Sequence, residues 1–172
     1  MLKNKLYYSL NEKNRDFLKD IEEHRKKIGI SGEEYLSNIL SQFKIIHYRN
    51  KNDYCNDDGV DLIIEYKNKC YICQVKYWID KTINYKMVKQ IYGEMKLSKQ
   101  SKKYQNSYSE INYILFCPYA SRQVKKILNI FEEDHFIIIS NNKFLDFLTN
   151  PIYLLENNFF IKQVEEEIFS VY

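Results

Sequence analysis

The stretch that decides the fold runs from Asp61 to Lys76 and reads DLIIEYKNKCYICQVK. Residues 60–67 and 70–78 are rich in Val, Ile, Tyr and Trp, the residue types that favour β-strands. The pair Asn68-Lys69 between them suits a two-residue hairpin loop. The sequence therefore predicts two antiparallel strands joined by a tight turn.

The predicted hairpin gathers three polar side chains on one face. If Lys67 pairs with Cys70 across the loop, Asp61 lies opposite Lys76, and directly opposed residues point to the same face. Gln74 precedes Lys76 by two residues on the same strand and therefore shares that face. A three-residue loop would turn one strand over and separate the group, whereas a four-residue loop would keep it together.

These three residue types suit metal-assisted hydrolysis of a phosphodiester. The Asp61 carboxylate and the Gln74 carbonyl are hard oxygen ligands of the kind that Mg²⁺ or Mn²⁺ prefers, and the backbone carbonyl of Val75 is a further candidate ligand. A bound divalent ion activates water and neutralises charge on a phosphate. Lys76 can hold that water or stabilise the charged phosphorus centre.

An Asp opposite a Lys also has a purely structural interpretation, as a cross-strand ion pair worth about 0.2–1 kcal/mol. The surroundings favour the chemical interpretation. Asp61 follows the segment Asp57-Asp58-Gly59 after a single residue, and Gln74 and Lys76 lie in an otherwise apolar strand. Polar groups buried in such a strand without a partner are costly, so a bound ligand would account for them.

Residues 59–63 (GVDLI) followed by residues 74–76 (QVK) resemble the signature of the Mrr-like restriction endonuclease family. This family lies in the branch of the PD-(D/E)xK nuclease superfamily that carries Gln in place of the usual acidic residue. The resemblance covers roughly residues 31–149 and implies a restriction-endonuclease-like fold, a three-layer α/β/α arrangement around a central mixed β-sheet. Segments that match its later elements are a helix at 88–95, strands at 111–116 and 135–140, and a closing helix at 142–148.

The resemblance also implies roles for the residues. Asp61 would be a metal ligand, Gln74 would occupy the second acidic position and Lys76 would be the catalytic lysine. The cofactor would be Mg²⁺ (or Mn²⁺) and the substrate DNA. An acidic residue on the first core helix, which corresponds to residues 31–43, would complete the metal site.

Glu33 and Glu34 are the candidates for that acidic residue. Ser31 followed three residues later by Glu34 is a capping box, which gives Glu34 a structural role at the helix start. Glu33 lies seven residues before Leu40 and so near the apolar line of the helix, which makes it the first choice as metal ligand and Glu34 the second. Alternatively, both acids only interact favourably with the positive end of the helix dipole.

Lysines follow the predicted catalytic strand. Between residues 81 and 103 there are seven lysines, and Glu94 is the only acidic residue. A basic helix beside the site would neutralise DNA phosphates with salt-sensitive affinity, although a solvated helix face is the simpler interpretation. The predicted DNA contacts are Lys81, Lys86, Lys89 and Lys96.

The composition fits one folded domain without membrane segments. The chain has 172 residues, is 45% hydrophobic and contains 4 Gly, 2 Pro and 4 Cys, with a net charge of +3. No signal peptide or membrane span is recognisable, so an intracellular location is expected. Cys70 and Cys73 have the spacing of half a zinc site, but on a strand they point to opposite faces, so reduced packing cysteines are expected.

The predicted organisation is a helical extension at 1–30, a nuclease-like core at 31–150 and a helical segment at 151–172, all in one compact domain. The predicted function is that of a metal-dependent DNA endonuclease, restriction-like or resolvase-like, and a homodimer because cutting two strands requires two sites. One alternative is a catalytically inactive nuclease-fold subunit that binds nucleic acid or serves in assembly. Another is an α/β interaction module whose Asp61–Lys76 pair is structural.

Overall fold

A five-stranded mixed sheet forms the centre of the protein in a computed structural model, which describes residues 16–50, 59–76, 83–117 and 135–157. The strands, in their spatial order, are β1 (Ile46–Arg49), β2 (Leu62–Tyr66), β3 (Lys69–Val75), β4 (Glu110–Phe116) and β5 (Phe136–Ile139). The helices are α1 (helical over 16–28), α2 (Gly32–Gln42), α3 (Tyr85–Leu97), α4 (Lys99–Tyr104), α5 (Asn141–Thr149) and α6 (Pro151–Glu156).

The sheet changes direction at its third strand. Strands β1, β2 and β3 pair antiparallel, whereas β3, β4 and β5 pair parallel. The predicted α/β class with a mixed sheet is therefore confirmed. One consequence is that the carboxyl ends of β3, β4 and β5 lie at the same edge of the sheet as the start of β2, and we call this the carboxyl edge.

The register of the β2–β3 hairpin differs from the predicted one. Tyr66 pairs with Lys69, so the loop is Lys67-Asn68, and Lys67 adopts a φ of +55°. The predicted pairing of Lys67 with Cys70, and with it the position of Asp61 opposite Lys76, is wrong. The observed register pairs buried Ile63 with buried Ile72. Because the shift amounts to two residues, each side chain keeps its predicted face.

Two hydrophobic cores cover the two faces of the sheet. On β3, Tyr71, Cys73 and Val75 point into one core, while Cys70 and Ile72 point into the other. The first core contains the buried residues of α1, α2, α5 and α6, and we call that side the α2 face. The second core contains the buried residues of α3, and we call that side the α3 face. On this side the hydroxyl of Ser101 in α4 is hydrogen-bonded to the hydroxyl of Tyr113.

Residues beyond both ends of the predicted core pack into the α2 face. Leu18 of α1 is buried there, as are Leu154 and Leu155 of α6. Gly29 ends α1 with a φ of +73° that favours glycine, in agreement with the helix stop that a glycine here predicts. A proline at position 151 predicts a break in the chain of helices, but Pro151 instead occupies the first turn of α6, where its missing N–H costs nothing.

Some predicted elements lie outside the described residues, and one observed element was not predicted. The sequence also predicts a helix from about residue 10 to 28, one from 121 to about 131 and one from 159 onwards; the start of the first and all of the other two fall outside the described ranges. Helix α4 occupies part of the segment between 98 and 110, for which the polar sequence predicts a loop. Its six residues are too few to show a helical period, and its main signal is Ser98, whose hydroxyl accepts a hydrogen bond from the Ser101 amide.

The cysteines on β3 lie on opposite faces, as predicted, and both are fully buried. Burial raises the pKa of the Cys70 thiol to about 12 and raises that of Cys73 well above its usual value. At pH 8 only about one Cys70 thiol in 10,000 is then the reactive thiolate. We expect a Cys55→Ser variant to react very slowly with a thiol reagent such as DTNB while folded, and to show three thiols once denatured. Rapid reaction of the folded variant would contradict this assignment.

Candidate active site

The predicted site residues lie at the carboxyl edge of the sheet. The Asp61 amide donates to the carbonyl of Cys73 at 2.9 Å, and the Lys76 amide donates to the carbonyl of Phe116 at 2.8 Å. These bonds attach the main chain of both residues to the sheet beyond the ends of β2 and β3. In open α/β sheets, ligands bind outside the carboxyl ends of the parallel strands, which is where this group lies.

The Asp61 carboxylate is held by the backbone of β3. Its Oδ2 accepts a hydrogen bond from the Val75 amide at 2.7 Å. Leu62 pairs with Cys73 in the β2–β3 ladder, and the amide of Asp61 also donates to Cys73. Asp61 and Leu62 therefore both lie opposite the single residue Cys73, as in a β-bulge. Such a bulge redirects a side chain, and here it brings the carboxylate to the residue between Gln74 and Lys76.

Gln74 carries a buried oxygen without a partner. The side chain is 3% exposed and lies on the α3 face, by alternation with Ile72. Within the described ranges, its Oε1 accepts no hydrogen bond. Leaving such a group unpaired costs about 1–3 kcal/mol, so it requires a physical reason.

The donor set at this edge fits a hard divalent cation. The Asp61 carboxylate lies against the main chain of Val75, the next residue after Gln74, and within the described residues the Oε1 of Gln74 has no hydrogen-bond partner. Oxygen is the ligand type that Mg²⁺ and Mn²⁺ take. Among the residues described, no three side chains of His, Cys, Asp or Glu gather in one place. A cation here would thus depend on amide or backbone oxygens in addition to carboxylates.

Lys76 follows the last residue of β3 and is half-buried. It stands two residues after Gln74, next to the Val75 amide that holds Asp61. Asp61, Gln74 and Lys76 therefore lie in one region of the molecule, as predicted from the sequence. Their connection is the hydrogen bond between Val75 and Asp61, and not a direct pairing of Asp61 with Lys76.

Helix α2 brings its first turn to the same edge from the α2 face. The Ser31 hydroxyl caps the helix by accepting from the Glu34 amide at 3.1 Å, as predicted. The Glu34 carboxylate lies 3.8 Å from the guanidinium of Arg49, which pairs with Leu62, the neighbour of Asp61. Glu33 is half-buried on the same turn. Glu33 stays the predicted α2 ligand, while Glu34 has an ion-pair partner of its own.

One hydrogen bond of His47 attaches α2 to the first strand, and a second holds the ring against its own segment. One ring nitrogen lies 2.8 Å from the Ser37 hydroxyl, and the other lies 2.7 Å from the carbonyl of Ile45. Together with buried Leu36 and Leu40, these bonds fix the position of the helix on the α2 face. His47 therefore has a structural role that places the first turn of α2 at the carboxyl edge.

Glu94 of α3 is an acidic residue beside Gln74 that the sequence analysis did not assign. Gly59 has a φ of +68°, and a Cβ built on it would lie 3.0 Å from Glu94 Cβ, 3.4 Å from Glu94 Oε2 and 3.8 Å from Gln74 Nε2. The other carboxylate oxygen, Oε1, accepts from Gln90 Nε2 at 2.8 Å. The available signal was that Glu94 is the single acidic residue in a lysine-rich stretch.

Lys96 occupies a different flank of α3 from Glu94, whereas Lys86 precedes Gln90 and Glu94 at four-residue spacing and lies on their line of the helix. Lys86, Lys89 and Lys96 are exposed, and Lys81 lies outside the described residues. Lys96 Nζ donates to the hydroxyl of Tyr92 at 3.0 Å, and the Tyr92 ring meets Phe136 of β5. This flank therefore lies towards β4 and β5, whereas Glu94 lies towards Gly59 and β2. Contact between these lysines and DNA stays a prediction.

None of the helices in the described part of the chain is both long and apolar enough to cross a membrane. Comparison of the chain with protein-family models, with curated proteins and with solved structures found no match. The interpretation of the site therefore depends on the residues and their geometry.

Proposed function

We propose that this protein is a metal-dependent DNA endonuclease with a restriction-endonuclease-like fold, restriction-like or resolvase-like in its choice of target. The observation that carries the proposal is the buried Oε1 of Gln74, which has no partner among the described residues and belongs to the residue before Val75, whose amide holds the Asp61 carboxylate. The five-stranded mixed sheet, with helices on both faces, supports the fold assignment.

The residues would divide the reaction between them. When bound, Mg²⁺ (or Mn²⁺) supplies Lewis acidity, which lowers the pKa of water and neutralises charge on the phosphate. Asp61, Gln74 and the Val75 carbonyl provide the oxygens that hold the cation, with an acidic side chain such as Glu33 added to them. Lys76 places a positive charge where negative charge grows on the phosphate oxygens. Water forms one P–O bond while one ester P–O bond breaks, and the proton that the water loses is balanced by the one that the leaving oxygen gains.

A chain with one such site cuts one strand at a time. Cleavage of both strands of a duplex therefore requires two copies, and we include a homodimer in the proposal. The exposed lysines of α3 would hold the phosphate backbone outside the site, in a salt-dependent manner.

We expect the purified chain to nick supercoiled plasmid or branched DNA with Mg²⁺ or Mn²⁺, and not with EDTA. Asp61→Asn should lower the initial rate by about 100-fold or more, because it removes the negative charge but keeps an oxygen that accepts from the Val75 amide. Asp20→Asn makes the same chemical change on exposed α1 and should cut like the wild type. Equal rates for all three proteins would contradict the proposal.

A second candidate function is favoured by the amide at position 74, since an amide oxygen binds a cation more weakly than a carboxylate does. In that case the protein is a nuclease-fold subunit that binds nucleic acid or assembles with a partner without cleaving. Retention of DNA in a mobility-shift assay, with no cleavage on any substrate or metal, would support it. Absence of DNA binding at low salt would instead support an α/β interaction module.

A further inference from the structure

We propose that Glu94 is a metal ligand, supplied by α3 to the cation that Asp61 and Gln74 hold. The inference rests on the proposed function in so far as the cation is the same one. The inference adds Glu94 to the metal site. This residue lies outside both the signature at 59–63 and 74–76 and the first core helix. In effect, a carboxylate from a neighbouring helix would make up for the amide at position 74.

The geometry around Gly59 carries the inference. The position of a Cβ on this glycine is 3.4 Å from Glu94 Oε2 and 3.8 Å from Gln74 Nε2, so the carboxylate and the amide flank the same point. Both side chains thus approach the segment that leads into Asp61. A half turn of the Gln74 amide exchanges Oε1 and Nε2 and presents the oxygen on the side of Glu94, where one cation can be shared.

A second observation points to a ligand independently of the acidic residue. Gln74 is 97% removed from solvent, being 3% exposed, and its Oε1 is one of two buried side-chain oxygens that lack a hydrogen-bond partner in the described part of the chain. A structural glutamine in this position would be expected to use both ends of its amide. In the structure the end of the amide near Gly59 and Glu94 is Nε2, so the oxygen gains a cation shared with Glu94 only after the half turn of the amide.

Glu94 can reach a cation at little cost. Its present partner is Gln90, four residues earlier on an exposed part of α3, and such pairs contribute only about 0.2–0.5 kcal/mol. Gly59 keeps the approach open in two ways. Its φ of +68° favours glycine, and a Cβ would stand 3.0 Å from Glu94 Cβ, a tight contact that would make Glu94 shift.

The test is direct binding of Mn²⁺ to the full chain, measured by electron paramagnetic resonance in the absence of DNA. Glu94→Gln should weaken Mn²⁺ affinity at least about tenfold, because it replaces a carboxylate ligand by an amide. Glu23→Gln, the same change on exposed α1, should leave the affinity unchanged. Since Glu94 is exposed, thermal melting followed by circular dichroism should be the same for both variants.

Three outcomes would overturn the inference: Glu94→Gln binding Mn²⁺ like the wild type, a loss confined to Glu33→Gln, or no bound Mn²⁺ in the wild type. The nicking assay separates this inference from the proposed function. Cleavage that depends on Asp61 together with unchanged Mn²⁺ affinity in Glu94→Gln rejects only the role of Glu94. Mn²⁺ binding that depends on Glu94 without cleavage of any DNA supports the ligand and rejects the nuclease.

Discussion

Lys76→Met should lower the rate of metal-dependent DNA cleavage by about 100- to 1,000-fold, the range expected when one group that stabilises transition-state charge is removed. The substitution keeps a linear side chain and deletes only the ammonium group. Lys76 is half-buried just after β3, and the variant keeps both its aliphatic stem and the hydrogen bond from its backbone amide to Phe116. The free energy of unfolding should therefore change by less than about 0.5 kcal/mol. Initial rates of plasmid nicking and denaturant titrations measure the two quantities.

The control for Lys76→Met must separate local chemistry from the loss of one positive charge. Lys102→Met removes the same group from an exposed position on α4 and should retain nearly full activity at moderate salt. If Lys76→Met cleaves as fast as Lys102→Met, the lysine has no part in the reaction. If it instead unfolds at much lower denaturant concentration, the ammonium group is structural.

Phe147→Ala should lower the free energy of unfolding by about 3–5 kcal/mol, the cost of deleting a buried aromatic side chain and leaving a cavity. Phe147 is fully buried in the core on the α2 face, and its ring centroid lies 4.8 Å from that of Phe116 on β4. The effect is large because α5 joins the sheet through this contact. Guanidinium unfolding followed by circular dichroism gives the value, provided that the transition is two-state.

Phe17→Ala is the matched control, because it makes the same change at a side chain that is 55% exposed on α1. It should cost less than about 0.5 kcal/mol. A loss in Phe147→Ala as small as this would mean that α5 does not pack against β4 as described. It would also remove the reason for including residues beyond 150 in the core, since Leu154 and Leu155 belong to the same cluster.

Much of the architecture could be predicted from local sequence. The apolar, β-branched and aromatic content of residues 60–78 predicts β2 and β3, and Ser31 and Gly29 mark helix ends through chemistry that acts within a few residues. The hairpin register was not predictable in the same way, because either Lys67-Asn68 or Asn68-Lys69 can form the loop. What decides between them is the burial of Ile63 against Ile72, a tertiary effect.

The sequence predicts which residues form the candidate site better than it predicts the contacts between them. Strand alternation suffices to group Asp61 with Gln74, but the bond from the Val75 amide to Asp61 depends on a local bulge that no residue pattern announces. The approach of Glu94 depends on how α3 crosses the sheet and on the close packing that Gly59 permits. Such contacts arise from packing between elements, and the periodicity of one element carries no information about them.

The carboxyl edge has a practical consequence for redesign. The chain leaves or re-enters the sheet at this edge after β1, before β2, after β3 and after β4, so three connections begin or end next to Asp61 and Lys76. Val60, Ile83 and Cys117 stand in these connections just outside the strands and helices and belong to the core on the α3 face, so an exchange of the connections should keep them. Exchange of the residues between these anchors would then change what surrounds Asp61 and Lys76 and keep every described residue of the two cores.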